Sequence, residues 1–308
     1  MRKALVTGSG GFIGKNLVKY LKGLNHEVIE YDIVSGFDIT DYNQLRSVFK
    51  DHSIAEGDHV YHLAAQAYVA PGEADPYKDL QINGVGMINM LRCVEEFKPR
   101  LVFSSSGAVY GLTNSFPHAE DAVLRPTANY GCTKRLAELY LQKWAMMHGV
   151  VGRIVRFSSV YGPGRGPNGP VNAFLAKAEK GEPLTVYGDG SQTRDLIYVY
   201  DACAGMHTVM HRGVAGEIYN IGLGVEHSVL DVARLVSSLT GAPIEFVLSH
   251  RFSKFDVQRS YYNIGKVSRL GYSPIYSLED GVSTTYTLER GKATLMDVGN
   301  IVEVPVGE

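Results

Sequence analysis

Apolar positions in the first hundred residues switch between two periods. Lys3–Thr7 is a short continuous apolar run, and Ile13, Leu17, Leu21 and Leu24 then recur at the spacing of one helix face. Glu27–Asp32 reads as a second strand and His59–Leu63 as a third; residues 84–98 carry a helical pattern, and Arg100–Ser105 is a fourth strand. Gly152–Ser158 repeats the strand signature further on. Strands alternating with helices imply right-handed crossovers, so the pattern predicts an α/β fold: a doubly wound parallel sheet with helices on both faces. The Gly/Pro cluster Tyr161–Pro170 is too broken for a regular element. It marks the predicted departure from a first domain, 1–165 with 196–221 returning to it, into a smaller substrate lobe, mainly 166–308. No internal repeat or low-complexity tract interrupts this scheme, and from about Gly291 no clear pattern remains.

Length and charge narrow the function classes. A chain of 308 residues suggests about two domains or one lobed one, and 45% apolar with 20% charged residues is ordinary for a globular protein. Thirty Lys+Arg against 32 Asp+Glu give a net charge of -2 with no basic block, which argues against nucleic acid or an anionic membrane surface as partner. No run approaches the roughly 18 apolar residues of a membrane span, and the N-terminal segment lacks the apolar stretch of a secretory signal. Three widely spaced cysteines, Cys93, Cys132 and Cys203, form neither a disulfide framework nor a zinc pattern. The expectation is a soluble cytoplasmic protein without a metal. His207 and His211 stand at a spacing compatible with two ligands, but no nearby Asp, Glu or Cys completes a set and His59 and His62 fall on another strand. They read as surface or packed histidines.

Two sequence features carry chemistry. Thr7-Gly8-Ser9-Gly10-Gly11-Phe12-Ile13-Gly14 lies between a predicted strand and helix. There Gly8 allows a tight turn, Gly11 lets backbone approach a pyrophosphate, and Gly14 permits close helix packing. The helix start offers N–H groups and a positive dipole end to phosphate. Glycines alone also suit a plain strand-to-helix turn, but Asp32 ends the next strand, where a carboxylate accepts hydrogen bonds from ribose hydroxyls and repels a 2′-phosphate. The combination predicts NAD rather than NADP. Second, Tyr130 and Lys134 share one helix face in Asn129–Glu138, and Ser106 follows the fourth strand at the sheet's carboxyl edge. A lysine ammonium near a phenol would lower its pKa and make it a base near neutrality. Tyr-x-x-x-Lys also occurs by chance on amphipathic helices; the order of glycine loop, acidic strand end, serine strand end and Tyr–Lys helix is much harder to reach by accident.

With these motifs the chain resembles the extended short-chain dehydrogenase/reductases that act on nucleotide sugars, the group of UDP-galactose 4-epimerase, a Rossmann-type fold. The resemblance runs from residue 2 to about 290 and includes His62-Leu63-Ala64-Ala65, Asn83, Arg156–Pro163, Val186–Asp195 and Ile218–Gly222. It implies that Tyr130 is the general base, that Lys134 holds the nicotinamide ribose, and that Ser106 bonds the reacting sugar hydroxyl. It further implies an NAD site made by Gly8, Gly11, Phe12, Ile13, Gly14, Asp32, Asp38, Ile39, Leu63, Ala64, Ala65, Asn83, Ser104, Tyr130, Lys134 and Phe157. On the substrate side it implies Ser106, Ser159, Asn172, Tyr187, Arg194 and Arg259, with Arg194 on the diphosphate, where a planar guanidinium suits two parallel hydrogen bonds. Without the resemblance, Arg194 beside Asp195 would read as a surface charge pair. The family's helix-packed homodimer would use residues 84–98 and 130–148.

Four departures are visible. The segment between Asp32 and Asp38 is short, Ser159 replaces the family's Asn, and Ser253–Asp256 replaces an Arg-Pro-Gly-Asp, leaving Arg251 or Arg259 as second diphosphate arginine. Gly107-Ala108 stands where 4,6-dehydratases carry acids, which argues against dehydration. The expected function is NAD-dependent C4 epimerisation of a nucleotide hexose through a 4-keto sugar. A 4-keto-sugar reductase consuming NAD(P)H is the rival enzyme, and a non-catalytic dinucleotide sensor a remote one.

Overall fold

Parallel pairing follows directly from the continuous apolar runs, since strands covered on both faces need no polar alternation. The computed structural model describes residues 2–249 and 257–291. In chain order it begins β1 (Lys3–Thr7), α1 (Phe12–Gly23), β2 (Glu27–Tyr31), α2 (Tyr42–Asp51), β3 (His59–His62), α3 (Val69–Ala74) and α4 (Pro76–Leu80). A π turn, Gln81–Val85, leads into α5 (Gly86–Phe97), β4 (Arg100–Ser106), α6 (Asn129–His148), β5 (Gly152–Phe157), β6 (Ser159–Tyr161) and α7 (Pro170–Glu179). There follow β7 (Leu184–Tyr187), β8 (Thr193–Tyr198), α8 (Val199–Arg212), β9 (Ile218–Ile221), β10 (Glu226–Ser228), α9 (Val229–Thr240), β11 (Ile244–Val247), α10 (Gly265–Ser268) and α11 (Leu278–Glu289). Among the described residues no helix is long and apolar enough to cross a membrane.

The central sheet has the order β2-β1-β3-β4-β5-β9, and every pair is parallel. From β1 the chain moves out to β2 and then crosses to β3 on the other side. The loops leaving β1 and β3 therefore part at their carboxyl ends, which is where open α/β sheets bind ligands. Leu5, Val60, Leu101, Phe103 and Ile154 point into one core, shared with Leu45 and Phe49 of α2, Met87, Met90 and Leu91 of α5, and Leu141 of α6. The alternate residues, such as Val6 and Tyr61, face the other way and are equally buried. On that opposite face α1 packs along α8.

The chain divides into two compact units. Of the described residues, 2–160, 192–226 and 257–274 make the first, and 161–191, 227–249 and 275–291 the second. This corrects the expected boundaries, 1–165 with 196–221 and 166–308: residues 192–195, 222–226 and 257–274 belong with the sheet domain. Asp195 is one reason. Its carboxylate, 1% exposed, accepts from the backbone N–H groups of Leu223, Gly224 and Tyr262 at 2.7, 3.0 and 3.2 Å. The backbone of His118 meanwhile bonds Tyr261 and Asn263 on either side of Tyr262. In the second unit α7 packs on α9, and β7 pairs in parallel with β11 from Leu184↔Ile244 to Tyr187↔Val247.

Candidate active site

The glycine loop is shaped by backbone contacts that admit no side chain. Gly8 has φ +72°, and a Cβ there would lie 2.6 Å from the Ala64 nitrogen; one on Gly14 would lie 2.0 Å from the Gly8 carbonyl oxygen. The β1–α1 turn is thus pressed against the Leu63-Ala64-Ala65 segment leaving β3, across the switch point. Gly11 is the residue preceding α1, and the helix start at Phe12 and Ile13 has neither a side-chain cap nor an acidic residue in its first turn. That arrangement suits an incoming pyrophosphate. Asp32 closes the other side: its carboxylate accepts from Gly10 N–H at 2.8 Å and Val34 N–H at 3.0 Å. A carboxylate has about four acceptor sites, so capacity remains for ribose hydroxyls. Asp38 accepts from the Thr40 N–H and hydroxyl, and its own N–H donates to Gln44. Ile39 is buried, with Asn89 donating to its carbonyl. These groups fit the adenosine half of a dinucleotide.

Ser106, Tyr130 and Lys134 come together at the carboxyl end of β4. Ser106 Oγ accepts from Ala108 N–H at 3.2 Å and its hydroxyl is hydrogen-bonded to Tyr130. Lys134, 2% exposed, donates from Nζ to the Ser104 carbonyl at 2.9 Å and lies 5.9 Å from the Tyr130 ring centroid. Charge on the pair differs from the sequence expectation. Burial pushes the Tyr130 phenol up to about 12, opposed by the Ser106 hydrogen bond and reinforced by Asp79. Burial also pushes Lys134 down to about 7, against the pull of Asp79 and Glu138. The protein alone therefore does not draw the phenol down through the lysine: the ammonium is desolvated and directed to a carbonyl.

Behind the pair lie residues that sequence reasoning missed. Thr7 Oγ1 bonds His62 Nδ1 at 2.8 Å, His62 stacks on Phe103, and Ser104 Oγ donates to the His62 carbonyl. This chain of contacts ties β1, β3 and β4 together under Lys134. Asp79, 0% exposed, accepts from Thr133 Oγ1 at 2.6 Å and from Gln66. Asn83, expected at the cofactor, spends its side chain within this network, donating to Thr133 and Asp79 and accepting from Gln66 N–H. Glu138 receives a bidentate Arg156 at 2.8 Å and Ser105 inside the core, plus the partly exposed Arg135. Nothing in the sequence singles out Asp79, Glu138 or Arg156, because a helical acid and a strand arginine look alike whether buried or exposed.

Phe157, expected at the cofactor, is buried at the end of β5, and the substrate-side Ser159, two residues on, is partly exposed. Arg194 donates to its own neighbour's carbonyl, Thr193, at 2.7 Å, while Asp195 turns into the core rather than pairing with it at the surface. Arg259 is held in a bidentate ion pair with Glu226 at 2.9 and 2.7 Å, beside the Phe116 and Tyr261 rings. Its fork is occupied by a carboxylate, the group that a diphosphate would have to displace; Arg251 and Ser253–Asp256 lie outside the described residues. In the second unit Asn172 is buried and engages both the N–H and the carbonyl of Gly162. Tyr187, at the end of β7, is exposed. Cys132 is exposed and Cys93 and Cys203 are buried.

Comparison with known proteins places this geometry. Residues 4–222 match the model of the NAD dependent epimerase/dehydratase family. A UDP-glucose 4-epimerase from Thermotoga maritima, solved with UDP-glucose, shares 30% identity with a TM-score of 0.87, covering 94% of this chain and 99% of that one. An epimerase from Methanothermobacter thermautotrophicus shares 31% with a TM-score of 0.86, over 94% of this chain and 93% of that one. A UDP-glucuronic acid decarboxylase 1 from Xenopus tropicalis is 30% identical over 306 residues, 92% of this chain and 71% of the relative. The chain belongs to the NAD-dependent epimerase/dehydratase family, sugar-nucleotide enzymes of the extended short-chain dehydrogenase/reductase group with NAD as cofactor.

Proposed function

We propose that the protein epimerises a nucleoside-diphosphate hexose at C4, on a substrate such as UDP-glucose or UDP-galactose, through a transient 4-keto sugar. The observation that carries this is the convergence of Ser106, Tyr130 and Lys134 at the carboxyl end of β4. Ser106 orients the C4 hydroxyl and Tyr130 takes its proton, then returns it after the keto sugar has turned. Arg194 grips the diphosphate while the sugar stays loosely held. Gly8–Gly14, Asp32, Asp38, Ile39, Leu63–Ala65 and Lys134 would hold NAD, with Ser104 and Asn83 positioning Lys134 and its surroundings. Bound NAD+ supplies a hydride acceptor and, on its nicotinamide ring, a positive charge that favours the phenolate form of Tyr130.

Position 107 supports this reading over dehydration. A Cβ on Gly107 would lie 1.6 Å from the Tyr262 hydroxyl oxygen, so an acid at this point would require the buried Tyr262 side chain to move aside. The test is to purify the protein without added cofactor, denature it and identify the nucleotide released. Near-stoichiometric NAD(H), followed by interconversion in a panel of UDP-, GDP- and dTDP-hexoses, is expected. An empty protein that prefers NADPH on titration would favour the reductase, and carbon dioxide release from UDP-glucuronate would favour the decarboxylase.

A further inference from the structure

Four histidines, distant in sequence, meet at the amino-terminal edge of the central sheet, the edge opposite the glycine loop. His26 stands just before β2, His59 opens β3, and His207 and His211 lie one turn apart near the end of α8. Ligand nitrogens of His26, His59 and His211 all lie within 4.8 Å of one another. The His207 and His211 rings meet edge-on at 4.3 Å, and His59 and His211 at 4.8 Å. His59 is 0% exposed, and neither of its ring nitrogens has a hydrogen-bond partner in the protein. Both nitrogens of His207, Nδ1 of His26 and Nε2 of His211 are likewise unpartnered. Buried polar atoms in folded proteins are nearly always bonded, so such a concentration points to a shared partner of another kind.

We infer that His26, His59 and His211 form a binding site for one divalent transition-metal ion of the zinc class. The donor set is imidazole alone, which suits zinc, copper or nickel and not magnesium or calcium. Zn–N bonds of about 2.0–2.1 Å in a tetrahedron place nitrogens roughly 3.4 Å apart, so modest side-chain rotation closes the site. His59 is fixed on an inner strand, while His26 and His211, partly exposed at element ends, are free to adjust and give an ion its way in. Burial is the largest cause keeping His59 and His211 neutral, the form that ligates; the nearby His211 and then Arg2 add to it at His59, and Arg2 at His211. Arg100 and Arg153 add to the positive field at His211. These arginines oppose a dication, so affinity should be lower than in a site buttressed by carboxylates. The bound ion would clip the last turn of α8 to the starts of β2 and β3, remote from the catalytic edge. Sequence alone paired His207 with His211 and dismissed them, because the completing ligands come from elsewhere in the chain, His26 just before β2 and His59 on β3.

The test uses protein prepared without a polyhistidine tag and stripped with a chelator. Zinc is titrated against a chromophoric chelator, and cobalt is added as a spectroscopic probe. One zinc per chain, the visible bands of tetrahedral cobalt and a melting temperature that rises with zinc concentration are expected. His26→Gln and His211→Gln, both at partly exposed positions, should each weaken zinc at least about tenfold with circular dichroism unchanged. His52→Gln, on an exposed residue outside the cluster, should bind as the parent does. A parent protein without saturable zinc binding, or variants that bind as tightly as the parent, would overturn the site and leave a stack of neutral, packed imidazoles.

Discussion

At neutral pH Tyr130 carries its proton in the protein alone, because burial pushes the phenol up to about 12 and Lys134 points its ammonium at the Ser104 carbonyl. Removing the phenol oxygen removes the proton acceptor, so Tyr130→Phe should lose at least about a hundredfold in kcat while retaining NAD, measured by initial rates and by quantifying bound nucleotide. An undiminished rate would dismiss Tyr130 as the base. Lys134 carries a second consequence. Its folded pKa of about 7 lies below its ordinary value of 10.5, so the unfolded chain binds the extra proton between these values. The penalty of the buried ammonium is therefore fully present below about pH 7 and is relieved as pH rises toward 10.5. Lys134→Met should accordingly gain most over the parent near pH 6–7, and the difference should shrink toward pH 10, read from denaturant midpoints. Ser106, Tyr130 and Lys134 were legible in the sequence because their spacing is local. Asp79 and Glu138, which act on the charge of Lys134 from inside the core, were not, since burial is a property of packing.

At the scale of elements, the glycine loop is where geometry is tightest. A methyl on Gly14 would meet backbone, the Gly8 carbonyl oxygen at 2.0 Å, and backbone cannot swing aside as a side chain does. Gly14→Ala should cost about 1–3 kcal/mol of stability, as overpacking does, and should lower NAD content sharply. Calorimetry and nucleotide analysis check both; a variant that keeps the parent's melting temperature and NAD would contradict the tight packing of α1 on this turn. β1 through β5 stand within a residue or two of the runs that predict them; β3 and β5 are buried along their whole length, while edge strand β2 keeps Glu27 and Glu30 exposed. The returns of 192–195, 222–226 and 257–274 to the sheet domain were not legible. They rest on Asp195 and on backbone pairing across His118, and neither leaves a periodic signal.

For the whole molecule, α5 and α6 pack on each other in the sheet domain, yet α6 leaves Leu139, Met146 and Met147 exposed at 48, 78 and 64%, with Val85 exposed just ahead of α5. Apolar surface of this kind suits a homodimer built on these helices. Light scattering at micromolar concentration should give twice the chain mass; a monomer would contradict it. The histidine cluster belongs to this scale as well, since only the crossover from β1 to β2 and back to β3 brings His26 and His59 to α8. The central claim, that C4 of a nucleotide hexose gives up hydrogen and takes the same hydrogen back, is most directly tested with substrate deuterated at C4 and no added cofactor. The expected product is epimerised at C4 with the deuterium retained. Deuterium lost to solvent, or turnover only with added NADPH, would contradict it.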